Sequence, residues 1–368
     1  MRILYFTHSL VSCWNHGNAH FQRGLLRELA ARGHQVTALE PAQGWSRSNL
    51  LQDQGASEIG EFERRFPELR PELYGVDLDL ERTLDGADLV IVHEWTEPAL
   101  VAALGRARRR GKFLLLFHDT HHRAVSDPDA MGAFDLSDYD GVLAFGAALA
   151  EIYRRADWGN RVFVLHEAAD ARLFRPLEPE SPRAGLVWIG NWGDEERSLE
   201  LEQYLLRPAC ALGLPLEIYG VRYPEHALAV LRQHGARYRG RLANTRVPEI
   251  FARHLATVHV PRRYYTTMLP GIPTIRVFEA LACGIPLVSA PWDDSEGLFR
   301  IGEDLLMAYS EAEMRRYLQA LARDAELRAA LAASGLAQIR ARHTCAHRAE
   351  ELLRIVAGLR ASSRECVA

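Results

Sequence analysis

Short runs of apolar residues alternate with longer amphipathic stretches along the whole chain. The first apolar run covers residues 3–6, and an amphipathic stretch follows from residue 19, with Phe21, Leu25 and Leu29 on one stripe. Uninterrupted apolar runs of about four to eight residues are typical of parallel strands that are buried on both faces. Helical spacing between two such runs predicts a strand–helix–strand unit with a right-handed crossover.

The same pattern recurs through most of the chain. It predicts strands at residues 3–6, 36–39, 87–92, 113–117, 141–145, 161–165, 186–190, 216–219, 257–260 and 285–289. Alternating strands and helices predict an α/β fold, and 368 residues are enough for two domains. Proline and charged residues are concentrated at residues 177–184, which we interpret as a linker between a domain of residues 1–176 and a domain of residues 185–345.

Composition narrows the class of protein. The chain is 48% hydrophobic and 25% charged with a formal net charge of −4, which is typical of a globular protein and does not favour a nucleic-acid partner. The five cysteines have neither metal-ligand nor redox spacing, so a reducing, cytoplasmic compartment is expected. The apolar run at residues 3–6 is too short for a signal peptide or a membrane span.

One segment, residues 272–289, combines apolar character with two charges. It predicts a short buried helix with Thr274 as N-cap and Gly284 as a left-handed residue at its end. Arg276 and Glu279 stand three residues apart on this helix, and buried charges are costly unless they are paired or meet a ligand. Two interpretations follow. The pair is an ion pair inside the core, or it belongs to a nucleotide site in which Arg276 and the helix N-terminus bind phosphate and Glu279 binds ribose hydroxyls.

The same segment carries a resemblance to a known family. Residues 278–289, FEALACGIPLVS, resemble the family-4 retaining glycosyltransferases, which have the GT-B fold of two facing Rossmann-like domains. Residues 276–284, RVFEALACG, and residues 343–353, HTCAHRAEELL, are similar to the spore-maturation glycosyltransferase-like (CgeB-type) branch. The resemblance covers most of the chain. It implies that a C-terminal helix, residues 346–368, crosses back to the first domain.

The loop after the first strand is a candidate ligand loop. It has no Gly-x-Gly-x-x-Gly pattern, which argues against a dinucleotide dehydrogenase. It lies at the carboxyl end of a strand, where open α/β sheets bind ligands. The resemblance implies that it approaches the donor phosphates through Gly17 and Asn18. An ordinary strand–helix loop is the alternative for each of these two residues.

The densest group of ionisable residues, at 118–123, follows the strand at residues 113–117. Histidine and aspartate are good metal ligands, but the adjacent His121 and His122 point apart in an extended chain, and no metal is predicted. A site for sugar and acceptor hydroxyls is the alternative. The resemblance implies that His118 contacts the donor sugar, and that Asp119 either orients its imidazole or acts as a base toward the acceptor. Together with Arg276, these two residues are the predicted catalytic groups.

The second domain departs from the family in two places. Related enzymes follow the glycine after their strand, here Gly190, with an arginine and a lysine for the diphosphate, whereas Lys112 is the only lysine of this chain. They also carry two glutamates separated by seven residues, of which Glu279 matches the second. Gly271 stands in place of the first, and backbone N–H groups at residues 268–271 are expected to replace the missing carboxylate. The predicted donor-binding residues of this domain are Gly190, Asn191, Arg197, Tyr219, Arg222, Arg262, Arg263, Gly271, Thr274 and Glu279.

The resemblance and these residues predict a glycosyltransferase that moves a sugar from a UDP-, GDP- or dTDP-sugar to an unidentified acceptor. Retention of configuration, no bound cofactor and no metal requirement are expected. Two other interpretations stay open: a protein of the same fold that binds nucleotide sugars without turnover, and a nucleotide-sugar epimerase. Residues 40–84 and the loops of the first domain are expected to select the acceptor. No transmembrane segment and no nucleic-acid partner are expected, and the pattern leaves the oligomeric state open.

Overall fold

The computed structural model describes residues 1–14, 17–193 and 195–365, with side chains up to residue 362. The chain forms two compact units. The first unit contains Met1–Glu167 together with the chain from Cys345 onward, and the second contains Ala168–Thr344. Residues 168–184, which include the segment predicted as a linker, therefore belong with the second unit. There Ala169 forms an isolated β-bridge with Thr344.

The first unit contains seven parallel strands in the order β3-β2-β1-β4-β5-β6-β7. The strands are β1 Arg2–Phe6, β2 Gln35–Pro41, β3 Glu72–Tyr74, β4 Leu89–His93, β5 Leu114–Asp119, β6 Gly141–Ala144 and β7 Val162–Val164. The helices between them are α1 Asn18–Ala31, α2 Trp45–Gln54, α3 Ser57–Arg65, α4 Leu80–Leu84, α5 Pro98–Arg108, α6 Arg123–Ser126, α7 Pro128–Gly132 and α8 Ala147–Arg155.

The centre of the first sheet creates a place for ligands. Ile3 of β1 lies opposite both Val36 of β2 and Leu89 of β4, so the strand order changes direction at β1. The inner strands are buried, because a parallel sheet is covered by helices on both faces. In open sheets of this kind ligands bind beyond the carboxyl ends of the strands at such a switch point.

The second unit contains six parallel strands in the order β10-β9-β8-β11-β12-β13, with its own switch point at β8. The strands are β8 Leu186–Ile189, β9 Leu216–Tyr219, β10 Arg237–Tyr238, β11 Ala256–His259, β12 Leu287–Ser289 and β13 Leu306–Met307. The helices are α9 Ser198–Leu201, α10 Arg207–Ala211, α11 Glu225–Gln233, α12 Val247–Arg253, α13 Arg263–Thr267, α14 Ile275–Ala282, α15 Glu311–Arg323 and α16 Ala325–Arg342. A π-helical turn, Glu202–Leu206, joins α9 to α10, and a 3₁₀ turn, Asn244–Arg246, precedes α12.

The last helix, α17 Cys345–Glu365, belongs to the first unit and packs against α1. Leu352, Val356 and Leu359 are buried on its inner side, and Arg348 Nε donates to the carbonyl oxygen of His166 at 3.0 Å. The prediction of a two-domain α/β fold with a returning C-terminal helix is confirmed. Among the described helices, α17 included, none is long and apolar enough to cross a membrane.

The ten predicted strands are all present, and the three that the pattern missed are short. β3 has three residues, and β10 and β13 have two each. β3 and β10 also lie at sheet edges, where the backbone pairs on one side only, and their side chains are mostly exposed. Without a buried face, such strands leave no apolar run in the sequence.

Replacing two helical glycines by alanine should change stability in opposite directions. A Cβ on Gly335 of α16 would lie 2.7 Å from Leu281 Cδ2 and 2.9 Å from the Asp304 carbonyl oxygen, so Gly335→Ala should destabilise the fold by about 1–3 kcal/mol. A Cβ on Gly358 of α17 would meet nothing within 4 Å, so Gly358→Ala should stabilise it by about 0.5–1 kcal/mol through helix propensity. Urea unfolding of both variants tests the pair. Stabilisation by Gly335→Ala would contradict the close packing of α16 there.

Candidate functional site

The residue before α14 has the backbone of an N-cap but a different side-chain partner. Thr274 has φ −76° and ψ 159°, and its hydroxyl caps none of the first α14 amides. Thr274 Oγ1 instead lies 3.1 Å from Nε2 of the buried His259, at the end of β11. The predicted position of the cap is therefore confirmed and the predicted capping bond is wrong, because His259 takes the hydroxyl.

The direction of this hydrogen bond follows from its neighbours. Ser289 donates its hydroxyl to the Ala290 carbonyl at 2.7 Å, so Ser289 Oγ accepts from His259 Nδ1 at 2.9 Å. Burial lowers the pKa of His259 to about 3, and the neutral ring then has only Nε2 left as an acceptor. Thr274 consequently donates to His259. The first amides of α14 keep the orientation that favours anions at a helix N-terminus.

The two charges of α14 form an ion pair. Arg276 Nη1 contacts Glu279 Oε2, with the Arg276 side chain 15% exposed and the Glu279 side chain 0% exposed. The first of the two sequence interpretations therefore describes the contact that is present. The second is compatible with it, since a guanidinium has five N–H donors and a single carboxylate oxygen does not use them all. The ribose role of Glu279 stays a prediction.

A second arginine of this unit is held in place from three sides. Arg197 Nη2 donates to the Asn191 carbonyl at 2.7 Å, Nη1 donates to the Val260 carbonyl at 3.2 Å, and the guanidinium lies 5.1 Å from the Trp188 ring centre. Burial, followed by the charge of Arg262, lowers the pKa of Arg197 to about 9, so the group stays charged at neutral pH. Val260 follows His259, which contacts Thr274 at the start of α14, so Arg197 lies near the beginning of the helix that carries Arg276.

The other predicted arginines of this unit differ in their surroundings. Arg262 Nη1 contacts Glu196 Oε2 at 2.5 Å and the Gly193 carbonyl at 3.4 Å. Arg263 is half-exposed and is bound to Glu200 Oε1 at 2.9 Å. Arg222 lies in the turn after β9 in the left-handed region, with φ 57°. Arg262 and Arg197 therefore both lie against Gly193, whereas Arg263 is bound to Glu200 at the surface.

The loops after β8 and β9 approach each other closely. A Cβ on Gly220 would overlap the Gly190 carbonyl oxygen, and Asn191 Oδ1 accepts from the Val221 N–H at 3.0 Å. Tyr219 donates its hydroxyl to Glu217 at 3.0 Å. Gly190 and Asn191 thus serve the close approach of two strand ends.

Sequence reasoning missed an aromatic group beside these loops. Tyr223 donates to the Gly190 carbonyl at 2.9 Å and accepts from Trp188 Nε1 at 3.1 Å. The Tyr238 ring centre lies 4.9 Å from that of Tyr223, and its hydroxyl donates to the Gly220 carbonyl at 2.8 Å. The signal that could have found them is the placement of each tyrosine at or just after the end of a strand.

The position of the missing glutamate cannot hold one in this backbone. Gly271 has φ 84°, and a Cβ there would lie 2.7 Å from Glu296 Cγ and 2.9 Å from Ser295 Oγ. The backbone N–H of Gly271 donates to the Asp293 carbonyl at 2.6 Å. The N–H groups of Met268 and Leu269 both donate to the Tyr264 carbonyl. The expectation that amides at residues 268–271 replace the carboxylate is therefore wrong, because these N–H groups already have partners.

In the first unit, the loop after β1 is tied to the loop after β5. Gly17 is the residue before α1, with φ −69°. Asn18 Nδ2 donates to the Thr120 carbonyl at 3.1 Å and to Thr120 Oγ1 at 2.5 Å. Residues 15 and 16 of this loop lie outside the described residues. The structure therefore brings Asn18 to the histidine-rich segment, and its contact with phosphate stays a prediction.

His118 and Asp119 are both wholly buried and have different partners. His118 Nδ1 lies 2.7 Å from the Tyr5 hydroxyl, and its Nε2 has no hydrogen-bond partner among the described residues. Asp119 accepts from the Tyr153 hydroxyl at 2.7 Å and from the His121 N–H at 3.0 Å. Tyr5 rather than Asp119 orients the His118 imidazole, because consecutive residues of a strand point to opposite faces.

Burial keeps four ionisable groups of this region neutral at pH 7, namely His93, Glu94, His118 and Asp119. It lowers the pKa of His118 to about 3, with a smaller contribution from His93. It raises the pKa of Asp119 to about 8, with a further contribution from the charge of Glu94. The same effect raises the pKa of Glu94 to about 8 and lowers that of His93 to about 3.

Glu94 and Thr120 are further candidates that the predicted set omitted. His93 Nδ1 lies 2.7 Å from Glu94 Oε2, and His93 Nε2 lies 3.0 Å from Thr120 Oγ1. The sequence signal that could have identified Glu94 was its place, with His93, directly at the end of the apolar run of β4. Within the parts of the chain that the structure describes, no three His, Cys, Asp or Glu side chains are arranged to hold a metal ion.

Two family models match this chain. Residues 19–173 match the model described as Glycosyltransferase Family 4, and residues 197–354 match the model described as glycosyl transferase-like. Each match covers most of one unit. No protein with a curated description matches the chain in sequence at a significant level.

Solved structures show the same architecture at low sequence identity. Sucrose-phosphate synthase from Thermosynechococcus elongatus is 14% identical, with a TM-score of 0.66 over 98% of this chain and 100% of that one. Anabaena HepE in complex with UDP-glucose is 15% identical, with a TM-score of 0.65 over 97% and 100%. S. aureus TarM in a complex that contains UDP is 10% identical, with a TM-score of 0.68 over 97% and 100%. The fold is therefore that of the GT-B glycosyltransferases.

Asp119→Asn should change how stability depends on pH. In the folded chain Asp119 keeps its proton up to about pH 8, whereas an aspartate of the unfolded chain loses its proton at about pH 3.9. Because the folded state binds more protons between these values, stability falls as pH rises, by up to about 1.4 kcal/mol per pH unit for one group. The asparagine variant lacks this contribution, so its free energy of unfolding should decrease less with rising pH.

Urea unfolding at several pH values between about 5 and 8 measures this slope. Asp129→Asn, which changes an exposed carboxylate of the same unit, is the matched control and should keep the slope of the parent chain. A slope for Asp119→Asn equal to that of the parent would contradict a neutral, buried Asp119.

Proposed function

We propose that this protein is a glycosyltransferase that moves a sugar from a nucleoside-diphosphate donor to an acceptor hydroxyl. The observation that carries the proposal is the position of two cations near the start of α14, whose amides Thr274 does not cap. Arg276 stands in the first turn of this helix, and Arg197 binds the carbonyl of Val260, next to the His259 that contacts Thr274. Both family matches support a glycosyltransferase, and the structures of HepE with UDP-glucose and TarM with UDP make uridine donors the first to test.

The chemistry fits the leaving group. When the bond between the anomeric carbon and the diphosphate breaks, negative charge collects on the diphosphate oxygens. Guanidinium groups and a helix N-terminus stabilise that charge most strongly where they are already fixed in position. Arg197 is fixed by two carbonyls and Arg276 by Glu279. Because these cations can serve the leaving group, the proposal includes transfer without a metal requirement.

In the first unit we assign the sugar contact to His118 and retain Asp119 as a candidate base. His118 Nε2 is the ring atom with no hydrogen-bond partner among the described residues, so it is the one able to bond a sugar hydroxyl. Asp119 can accept a proton only when it is ionised, and its pKa of about 8 means that activity through it would rise as pH passes 8. Retention of configuration rests on the family-4 resemblance of residues 278–289, and membership of the spore-maturation branch rests on residues 276–284 and 343–353.

Gly271 favours a second candidate, a protein of the same fold that binds nucleotide sugars without turnover. The position of the first family glutamate holds neither a carboxylate nor an available amide. Such a protein would be stabilised by a nucleotide sugar and would not release the nucleoside diphosphate. Saturation at about 100 times Kd should then add about 2.7 kcal/mol to the free energy of unfolding.

Arg276→Ala should weaken donor use, because a hydrogen-bonded charge at the diphosphate is lost. The expected decrease in kcat/KM for donor turnover is about 10- to 100-fold, from roughly 1.5–3 kcal/mol for a bond to a charged group. Nucleoside-diphosphate release from UDP-, GDP- and dTDP-sugars, with and without a pool of acceptors, measures it. Arg276→Lys, which keeps the charge next to Glu279, should recover part of the activity.

The matched control is Arg246→Ala. Arg246 and Glu249 are also an arginine–glutamate pair three residues apart in the second unit, but that pair is at the surface, at the start of α12. The activity of the Arg246→Ala variant should equal that of the parent chain. If Arg276→Ala and Arg246→Ala change nucleoside-diphosphate release equally, Arg276 does not belong to the site. Absence of both release and thermal stabilisation with every nucleotide would overturn the proposed function.

A further inference from the structure

A continuous series of rings crosses the carboxyl edge of the first sheet. We call it the aromatic ladder, and it consists of Trp14, Trp45, His8, Trp95 and His121. In that order the ring centres of neighbours are 5.9, 4.9, 6.0 and 5.4 Å apart. These distances are those of interacting aromatic pairs.

Four different strands contribute to the ladder, so it is a product of the fold. His8 and Trp14 follow β1, and Trp45 begins α2 after β2. Trp95 follows β4 and His121 follows β5. The carboxyl ends of parallel strands meet at one edge of the sheet, and the ladder lies there next to the switch point between β1 and β4.

The ladder exposes flat aromatic surface within a polar rim. Trp45 is 40% exposed and Trp95 is 36% exposed. Trp14 Nε1 donates to Asp53. The Arg123 guanidinium lies over the Trp95 ring, 4.6 Å from its centre, and its Nη1 donates to the Glu94 carbonyl. Exposed aromatic groups edged by hydrogen-bonding side chains mark ligand sites more often than single exposed apolar residues do.

We propose that the aromatic ladder binds a saccharide, and that the acceptor of the transferred sugar is therefore a glycan. A pyranose ring has an apolar C–H face that fits a flat indole and a rim of hydroxyls that fits a polar border. An acyl chain would instead be matched by a groove of aliphatic side chains. This proposal rests on the proposed function and names the acceptor class.

In the transfer, a hydroxyl oxygen of the bound saccharide forms a bond to the anomeric carbon of the donor sugar. The bond between that carbon and the diphosphate oxygen breaks, and its electron pair leaves with the diphosphate. The hydroxyl proton passes to a base or to water. The ladder takes no part in these bonds, and its role is to position the acceptor.

Saturation-transfer NMR of the full chain with defined trisaccharides of glucose, N-acetylglucosamine, mannose and galactose tests binding without any turnover. We expect saturation of pyranose C–H protons for at least one trisaccharide. Trp45→Ala and Trp95→Ala should weaken its binding at least 10-fold, and Trp45→Phe, which keeps an aromatic face, should recover part of it. Tyr309→Ala removes an aromatic side chain that is 66% exposed on the second unit, and it should bind like the parent.

Three results would overturn the proposal: no trisaccharide binds, the two alanine variants bind as well as the parent, or only a short-chain lipid phosphate used as a competing probe binds. The link to transfer has a separate readout. The acceptor role is supported if the bound saccharide increases diphosphate release by the parent chain. Trp95→Ala should then raise the KM for the acceptor at least 10-fold and leave the KM for the donor unchanged.

If no saccharide increases diphosphate release by the parent chain, the acceptor role is wrong. Absence of release from every donor in the parent would overturn the proposed function instead, while the NMR titration still reports on the ladder itself. The two failures are therefore distinguishable.

Discussion

The ion pair between Arg276 and Glu279 places two charges in the otherwise apolar helix α14. Glu279 is wholly buried in a helix whose other inward residues are apolar, and Arg276 is the charged group that compensates it. A buried pair of this kind loses much of its Coulombic attraction to desolvation, so an apolar pair of similar volume would serve stability as well. Packing alone therefore gives no reason for an ion pair in the first turns of α14.

Four buried ionisable groups of the first unit are neutral, in contrast to the ion pair of the second unit. Asp119 and Glu94 are protonated at pH 7, and His93 and His118 are neutral. Their hydrogen bonds go largely to uncharged hydroxyls, such as that of Tyr5. Fixed cations suit a diphosphate, whereas neutral donors and acceptors suit the hydroxyls of a sugar. The two units therefore differ in their buried charges: the second unit holds the Arg276–Glu279 ion pair, whereas these four groups of the first unit are uncharged.

The sequence pattern was informative about burial and much less so about partners. Every strand with an apolar run was predicted, and the missed β3, β10 and β13 have only two or three residues each. The N-cap position of Thr274 followed from local spacing, but its partner His259 is fifteen residues earlier and lies in another element. The Tyr5–His118 contact spans 113 residues. Periodicity reports which face of an element is buried, while these contacts depend on strand order, which one sequence does not specify.

Gly271 shows how a departure from a family pattern acquires a physical reason. The left-handed backbone at φ 84° and the approach of Glu296 leave no room for a side chain, so a glutamate there would require residues 293–296 to move. The Gly271 amide is also occupied, since it donates to the Asp293 carbonyl. Residues 293–296 thus occupy both the side-chain position and the amide of Gly271. Position 271 therefore offers neither a carboxylate nor an unpaired N–H group.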